Sequence, residues 1–233
     1  AKNPSRRKSR NQKPKPDMAT KAEIIVVFDG YCGWCWGIAE TMKKLAADFS
    51  DRFDFTALCG GLVTGERIGP LGDFAAYIEK AIPRVEQMTG AVFSEPHRAR
   101  MRNRNTMQDS RIPAAAFSLI LAEKPQTSTM QLADEILSLN FREGRDLSEA
   151  LSYADLFRSH GLDAEKSVSR IASGEFFPHA ERQFEHAREI GAEAFPTIVY
   201  GREGQYFPLC QGYQNYESLA HALDLLYREP PPL

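Results

Sequence analysis

Cysteine is scarce in this chain, with four in 233 residues. Scaffolds stapled by disulfides are shorter and far denser in cysteine, so cystine links are not what holds this fold together. Long apolar runs are also missing. No stretch reaches the roughly 18–20 apolar residues of a membrane helix, and the N-terminus lacks the apolar centre of a secretion signal. The five histidines, His97, His160, His179, His186 and His221, contain no H-x₃₋₅-H pair. A structural zinc site therefore lacks the second half of its ligand set. The glycine-rich "GGLVTGERIGPLG" lacks the spacing and the lysine of a phosphate-binding loop.

What is present is an ordinary globular composition, 42% hydrophobic and 26% charged, which suits one large domain or two small ones. Charge is unevenly spread. Lys2, Arg6, Arg7, Lys8, Arg10, Lys13 and Lys15 crowd the first 17 residues beside one acid, Asp17, and the remainder is net acidic. "KNPSRRKSRNQKPKPD" has nothing apolar to bury, so residues 1–21 are expected to form a disordered basic tail. A solvated tail is the main reading; binding of nucleic acid or acidic lipid is its rival. Neither nucleic acid nor a membrane is expected as a partner of the folded body. A natural start at Met18 would leave no export signal and implies the cytoplasm. A signal removed ahead of Ala1 would instead imply the periplasm or another extracytoplasmic space.

"EIIVVF" (Glu23–Phe28) is a β-branched run suited to a strand buried on both faces. The period then changes: Ile38, Met42, Leu45 and Phe49 recur at helical spacing. "RFDFTALC" (Arg52–Cys59) alternates, with Phe53 and Phe55 on one face. Strand, helix and strand in this order read as a βαβ unit. From there to about Gly191 the pattern is helical, with six candidate helices. The first is expected to break or kink at Pro83, and Ser148 and Asp163 are candidate N-caps. "FPTIVYGREGQYFPLC" (Phe195–Cys210) reads as a hairpin around "GREG", with Pro208 marking an edge strand. "NYESLAHALDLLY" closes the chain as a helix. Neither β-rich end can bury both its faces alone, so the ends must share one sheet and the all-helical middle is an insertion.

"VVFDGYCGWCWG" (Val26–Gly37) joins the first strand to the first helix and holds both tryptophans. A structural bond between Cys32 and Cys35 would close a very short loop and stabilise little. A redox pair fits better. Cys32 falls at a helix N-terminus, where free N–H groups and the dipole favour a thiolate. Cys35 lies one turn on, deeper on the same face. Cys32 is expected to be the exposed nucleophile and Cys35 the buried resolving thiol. Asp29, three residues before Cys32, is placed either to relay a proton or to cap the loop. Trp34 is a candidate substrate platform, whereas Trp36 reads as core.

"CGWC" after an apolar strand, with "AFPTIVYGREGQYFPLCQGY" near the C-terminus, resembles the thioredoxin-like superfamily. The long helical insertion resembles the DsbA family of disulfide oxidoreductases. "DGYCGWCWG", "LCGGL" and "FPT" look most like its FrnE-type branch of predicted disulfide isomerases, over residues 22–228. The resemblance implies an α/β, thioredoxin-like domain from residues 22–62 and 192–233, interrupted by a helical insertion at 63–191. It also implies a cis Phe195–Pro196 bond beside the cysteines, with Gly33, Trp34, Phe195 and Pro196 binding substrate. Under the implied strand order, Cys59 and Cys210 are three strand spacings apart, roughly 14 Å. That is beyond the ~7 Å between Cα atoms that a disulfide tolerates, so both should stay free. The implied activity is thiol–disulfide exchange on protein or peptide thiols and disulfides, with glutathione as a further partner and no metal or organic cofactor. Two rivals remain: a glutathione-dependent isomerase or transferase of the kappa-like branch, and a non-catalytic adaptor.

Overall fold

The computed structural model describes residues 21–232. Except for Lys21, the basic tail expected over residues 1–21 lies outside the described residues.

Strand β1 (Ala22–Phe28) is central. It pairs in parallel with β2 (Phe53–Cys59) and antiparallel with β5 (Thr197–Arg202), and β6 (Gln205–Gln211) adds to β5, giving the order β2-β1-β5-β6. The two ends of the chain thus build one sheet. The side chains of β1 alternate between two cores. Ile24 and Val26 pack with Ile38, Met42, Leu45 and Phe49 of α1 (Gly33–Asp48) and with Leu219 and Leu223 of α9 (Tyr216–Arg228). Ile25 and Val27 pack with Ala187 and Ile190 beneath α8 (Phe177–Glu189). Each fully buried Ile, Leu or Phe contributes about 1.5–3 kcal/mol.

The β5–β6 turn puts Glu203 at φ 51° and Gly204 at φ 79°. Two left-handed residues in succession give the twist a tight hairpin needs. β6 is an edge strand, and its register with β5 slips between Ile198 and Val199, so that Cys210 and Pro208 face them in turn. Pro208 is tolerated there because no strand lies beyond it. Cys59 and Cys210 sit on opposite edge strands and are free, Cys59 in the core and Cys210 half-buried.

Between the two halves of the sheet run α2 (Ala75–Thr89), α3 (Glu95–Arg100), α4 (Arg111–Glu123), α5 (Thr129–Phe141), α6 (Ala154–Ser159), α7 (Ala164–Ala172) and α8. The very apolar α4 buries Ala114, Ala115, Ala116, Phe117, Leu119 and Ile120 at the centre of a large core that also holds Cys32 and Cys35. Four features differ from the sequence reading. Pro83 lies inside α2 and does not end it. Asp163 caps α7, accepting the Lys166 N–H at 3.0 Å, but Ser148 caps nothing. Its N–H and hydroxyl both donate to Asp146 Oδ1, in a turn ahead of a short 3₁₀ segment. The helix α3 is additional. So is a two-residue antiparallel pair, β3 (Gly69–Pro70) with β4 (Met107–Gln108), within the otherwise helical insertion.

Candidate active site

Cys32 is the N-cap of α1, in extended conformation. Its Sγ accepts the Cys35 N–H at 3.1 Å, and its S–H donates to the Phe195 carbonyl at 3.4 Å. The Phe195–Pro196 bond is cis, as the resemblance implies. The expected exposure of Cys32 is not found: the residue is only 6% exposed, because Phe195 and the insertion close over it. It opens instead onto a partly open cavity of 270 Å³. Cys35 is deeper still, at 2% exposure. Burial first, then hydrogen bonding and charge repulsion from Cys32, push its thiol well above the ordinary range.

Asp29 holds the turn that presents Cys32. Its carbonyl accepts the Cys32 N–H at 3.0 Å, Oδ1 the Tyr31 N–H at 2.9 Å and Oδ2 the Leu62 N–H at 2.8 Å. These bonds lower its acidity range, but full burial outweighs them and raises it overall. They tie the β1–α1 turn to the loop after β2. Among the described residues, no hydrogen bond joins the Asp29 carboxylate to either cysteine sulfur.

The glycines of "LCGGL" make room for this arrangement. A Cβ on Gly60 would lie 1.9 Å from the Phe195 ring. Gly61 has φ +77°, and a Cβ there would meet the Phe184 ring at 2.7 Å. Gly33 lies against Phe93, and Gly37 lets Val85 and Thr89 of α2 approach α1.

Of the residues singled out in the sequence, Gly33, Trp34 and Phe195 line the cavity with Cys32. Trp34 stands against Tyr213, with ring centroids 6.0 Å apart. Pro196 is elsewhere: it lines a narrow cleft on the Cys35 side. Trp36 is core, and its indole N–H donates to the Val92 carbonyl at 3.1 Å. The sequence reading missed the rest of the wall, which includes Arg67, Phe74, Tyr77, Val85, Phe93 and Gln108. Phe74, Ile78, Ile82 and Val85 do recur at helical spacing, but such a stripe reads as core.

A buried polar network backs the turn. Asn140 on α5 donates from Nδ2 to the Gly30 carbonyl at 2.8 Å, and its Oδ1 accepts from Arg100 at 2.7 Å. His97 Nδ1 lies 3.1 Å from the Asn140 carbonyl. Burial, then the Arg100 charge, lower the His97 imidazole to about 4. Among the described residues, no group of three or more His, Cys, Asp or Glu is placed to hold a metal ion, and no helix is long and apolar enough to cross a membrane.

Solved structures share this architecture. A candidate protein disulfide isomerase from Nitrosomonas europaea is 18% identical, covers 91% of this chain and 100% of its own, and superposes with a TM-score of 0.75. The cytosolic disulfide reductase DsbM from Pseudomonas aeruginosa is 22% identical, with coverage of 88% and 98% and a TM-score of 0.70. The same reductase with GSH is similar at a TM-score of 0.68, with 20% identity over 88% and 99% of the two chains. Among curated proteins none matches the sequence. Residues 23–224 match the DSBA-like thioredoxin domain, and on that span the chain belongs to this family of thioredoxin-fold thiol–disulfide oxidoreductases.

Proposed function

We propose that the protein exchanges disulfides through Cys32 as nucleophile and Cys35 as resolving thiol. One observation carries this reading: the Cys32 sulfur takes an N–H of a helix N-terminus while facing a cavity beside the Phe195 carbonyl. The sulfur is thereby held at the cavity, where an entering disulfide meets it.

The step balances as follows. The Cys32 thiolate attacks one sulfur of a disulfide R–S–S–R′. Cys32–S–S–R forms, and R′–S⁻ leaves and takes up a proton. Cys35 then loses its proton and attacks the Cys32 sulfur. R–S⁻ leaves, and the protein ends as the Cys32–Cys35 disulfide, having passed two electrons to the substrate. Part of the upward pressure on Cys35 comes from Cys32 itself. Forming the mixed disulfide removes that charge, so Cys35 ionises more readily when its turn comes. The reverse sequence oxidises a substrate dithiol, and relative reduction potentials set the direction.

In this reading Gly33, Trp34 and Phe195 bound the substrate and Pro196 holds the Phe195 carbonyl at the sulfur. Asp29 keeps the turn in place and is available to relay a proton. Residues 22–62 and 192–233 act as the thioredoxin-like domain and 63–191 as the insertion. "DGYCGWCWG", "LCGGL" and "FPT" support the FrnE-type branch. Protein or peptide disulfides are the substrates and glutathione a further partner, in line with the GSH-bound relative. A cytoplasmic location goes with a relative named a cytosolic reductase.

The test is covalent trapping. Cys35→Ala protein, incubated with oxidised glutathione or an oxidised peptide, should gain the mass of one thiol at Cys32. Cys32→Ser should gain none and lose insulin-reducing activity. An unmodified Cys35→Ala protein would reject the reading.

A further inference from the structure

The cavity at Cys32 is walled almost wholly by apolar and aromatic side chains. Arg67 is the single charged residue among those lining it. Its guanidinium forms no ion pair with any described residue, whereas Arg98, Arg104 and Arg111 nearby all do. Beside the hydroxyl-bearing Tyr31 and Tyr77, the wall also holds Gln108. It is 5% exposed, and its side-chain amide has no hydrogen-bond partner among the described residues. Its amide is therefore open to the cavity. Both groups are held by a frame. Gly69, two residues after Arg67, pairs with Gln108 in the β3–β4 ladder. Val63 and Ser110 close the frame with two bonds of 2.9 Å, Val63 N–H to Ser110 Oγ and Ser110 N–H to the Val63 carbonyl.

We propose that Arg67 and Gln108 form a carboxylate-recognition site, which makes the preferred disulfide a small, carboxylate-bearing one. This rests on the reading of Cys32 as nucleophile and adds its substrate class. A guanidinium fork matches a carboxylate, and an amide N–H₂ supplies a further donor. Arg67 is solvent-exposed and Gln108 is buried, so the two line the cavity from its open side and its interior. The size of the cavity, 270 Å³, suits enclosure of a small thiol more than an extended protein strand. The carboxylate docks at Arg67 and Gln108, the apolar arm lies along the aromatic wall, and the near sulfur meets Cys32. Exchange then follows the balanced step given above, with no further reactant.

The test compares three symmetrical disulfides of similar length: dithiodipropionate, an anion; hydroxyethyl disulfide, neutral; and cystamine, a cation. Each is mixed with the reduced protein, and the second-order rate is followed by tryptophan emission. Arg67→Gln should lower the anion-to-neutral rate ratio about tenfold, equivalent to about 1.4 kcal/mol of lost recognition. Arg67→Glu should lower it further and raise the cystamine-to-neutral ratio, which a merely structural role would not do. Gln108→Leu should lower the anion ratio alone. Ratios unchanged in all three variants would overturn the proposal. A peptide C-terminus carries the same chemistry, so cystine-linked peptides with free and amidated C-termini form the second arm. Equal rates support the small-thiol assignment, and a strong preference for the free terminus overturns it. Failure of Cys32 to form an adduct with any of the disulfides would instead reject the oxidoreductase reading beneath it.

Discussion

At the scale of single residues, the site depends on what is left out as much as on what is present. Gly60 is there because the Phe195 ring occupies the space of its missing side chain. Gly60→Ala should destabilise the protein by about 1–3 kcal/mol, the usual range for overpacking. Phe195→Ala in that background should recover part of the loss, as urea midpoints would show. Independent, additive losses would mean that the two positions do not share the space. His97 makes a pH prediction. Its folded-state value, about 4, lies below the ordinary ~6.5, so the unfolded chain binds its proton first as pH falls. The stability from keeping this imidazole neutral is complete above about pH 6.5, declines towards about pH 4, and levels off below. The full effect is on the order of 3 kcal/mol. Unfolding curves at about pH 7 and about pH 4.5 should therefore differ less in His97→Gln than in the parent. An unchanged pH dependence would remove His97 from the account.

At the scale of elements, the hairpin offers the clearest gain. Glu203 holds φ 51°, a conformation that costs most side chains energy but suits asparagine. Glu203→Asn creates an Asn-Gly turn and should raise stability by about 0.4–1 kcal/mol, read as a shift in thermal midpoint. No gain would imply that Glu203 makes a compensating contact. The same elements show what could be read in advance. "EIIVVF" followed by a 4-3-4 apolar spacing announces β1 and α1, since the change of period is a property of the side chains themselves. Pro208 announces an edge strand for a similar reason. The elements left unread are short. The six-residue α3 carries signals in Ser94, whose side chain accepts the His97 N–H, and in Pro96 in its first turn. Six residues are too few for periodicity to emerge. β3 and β4 are two residues each and exist through pairing across 36 intervening residues of chain order, which no local pattern records. The cavity was illegible for a different reason. An apolar stripe on α2 looks identical whether it meets another side chain or an empty space beside a sulfur.

At the scale of the whole molecule, the two central strands of the main sheet are held by partners distant in sequence. β1 touches β2 on one side and β5, far along the chain, on the other. Amides of β1 and β5 should then exchange with solvent deuterium only through global unfolding, while those of Gly65–Gly72 and Arg102–Gln108 exchange by local opening. Uniform protection across both groups would mean that the cavity wall is as firmly held as the sheet. This difference matters for function, because the wall must admit a substrate to a sulfur that is almost closed over.

The positions of the two tryptophans give the molecule an optical gauge of its own. Trp36 is buried against Phe141 and anchored to the Val92 carbonyl, so its emission should lie at short wavelength. Trp34 borders the cavity and stands against Tyr213. The indole in direct contact with whatever fills the chamber is thus Trp34, and a Trp34→Phe protein should report filling less strongly than the unaltered chain.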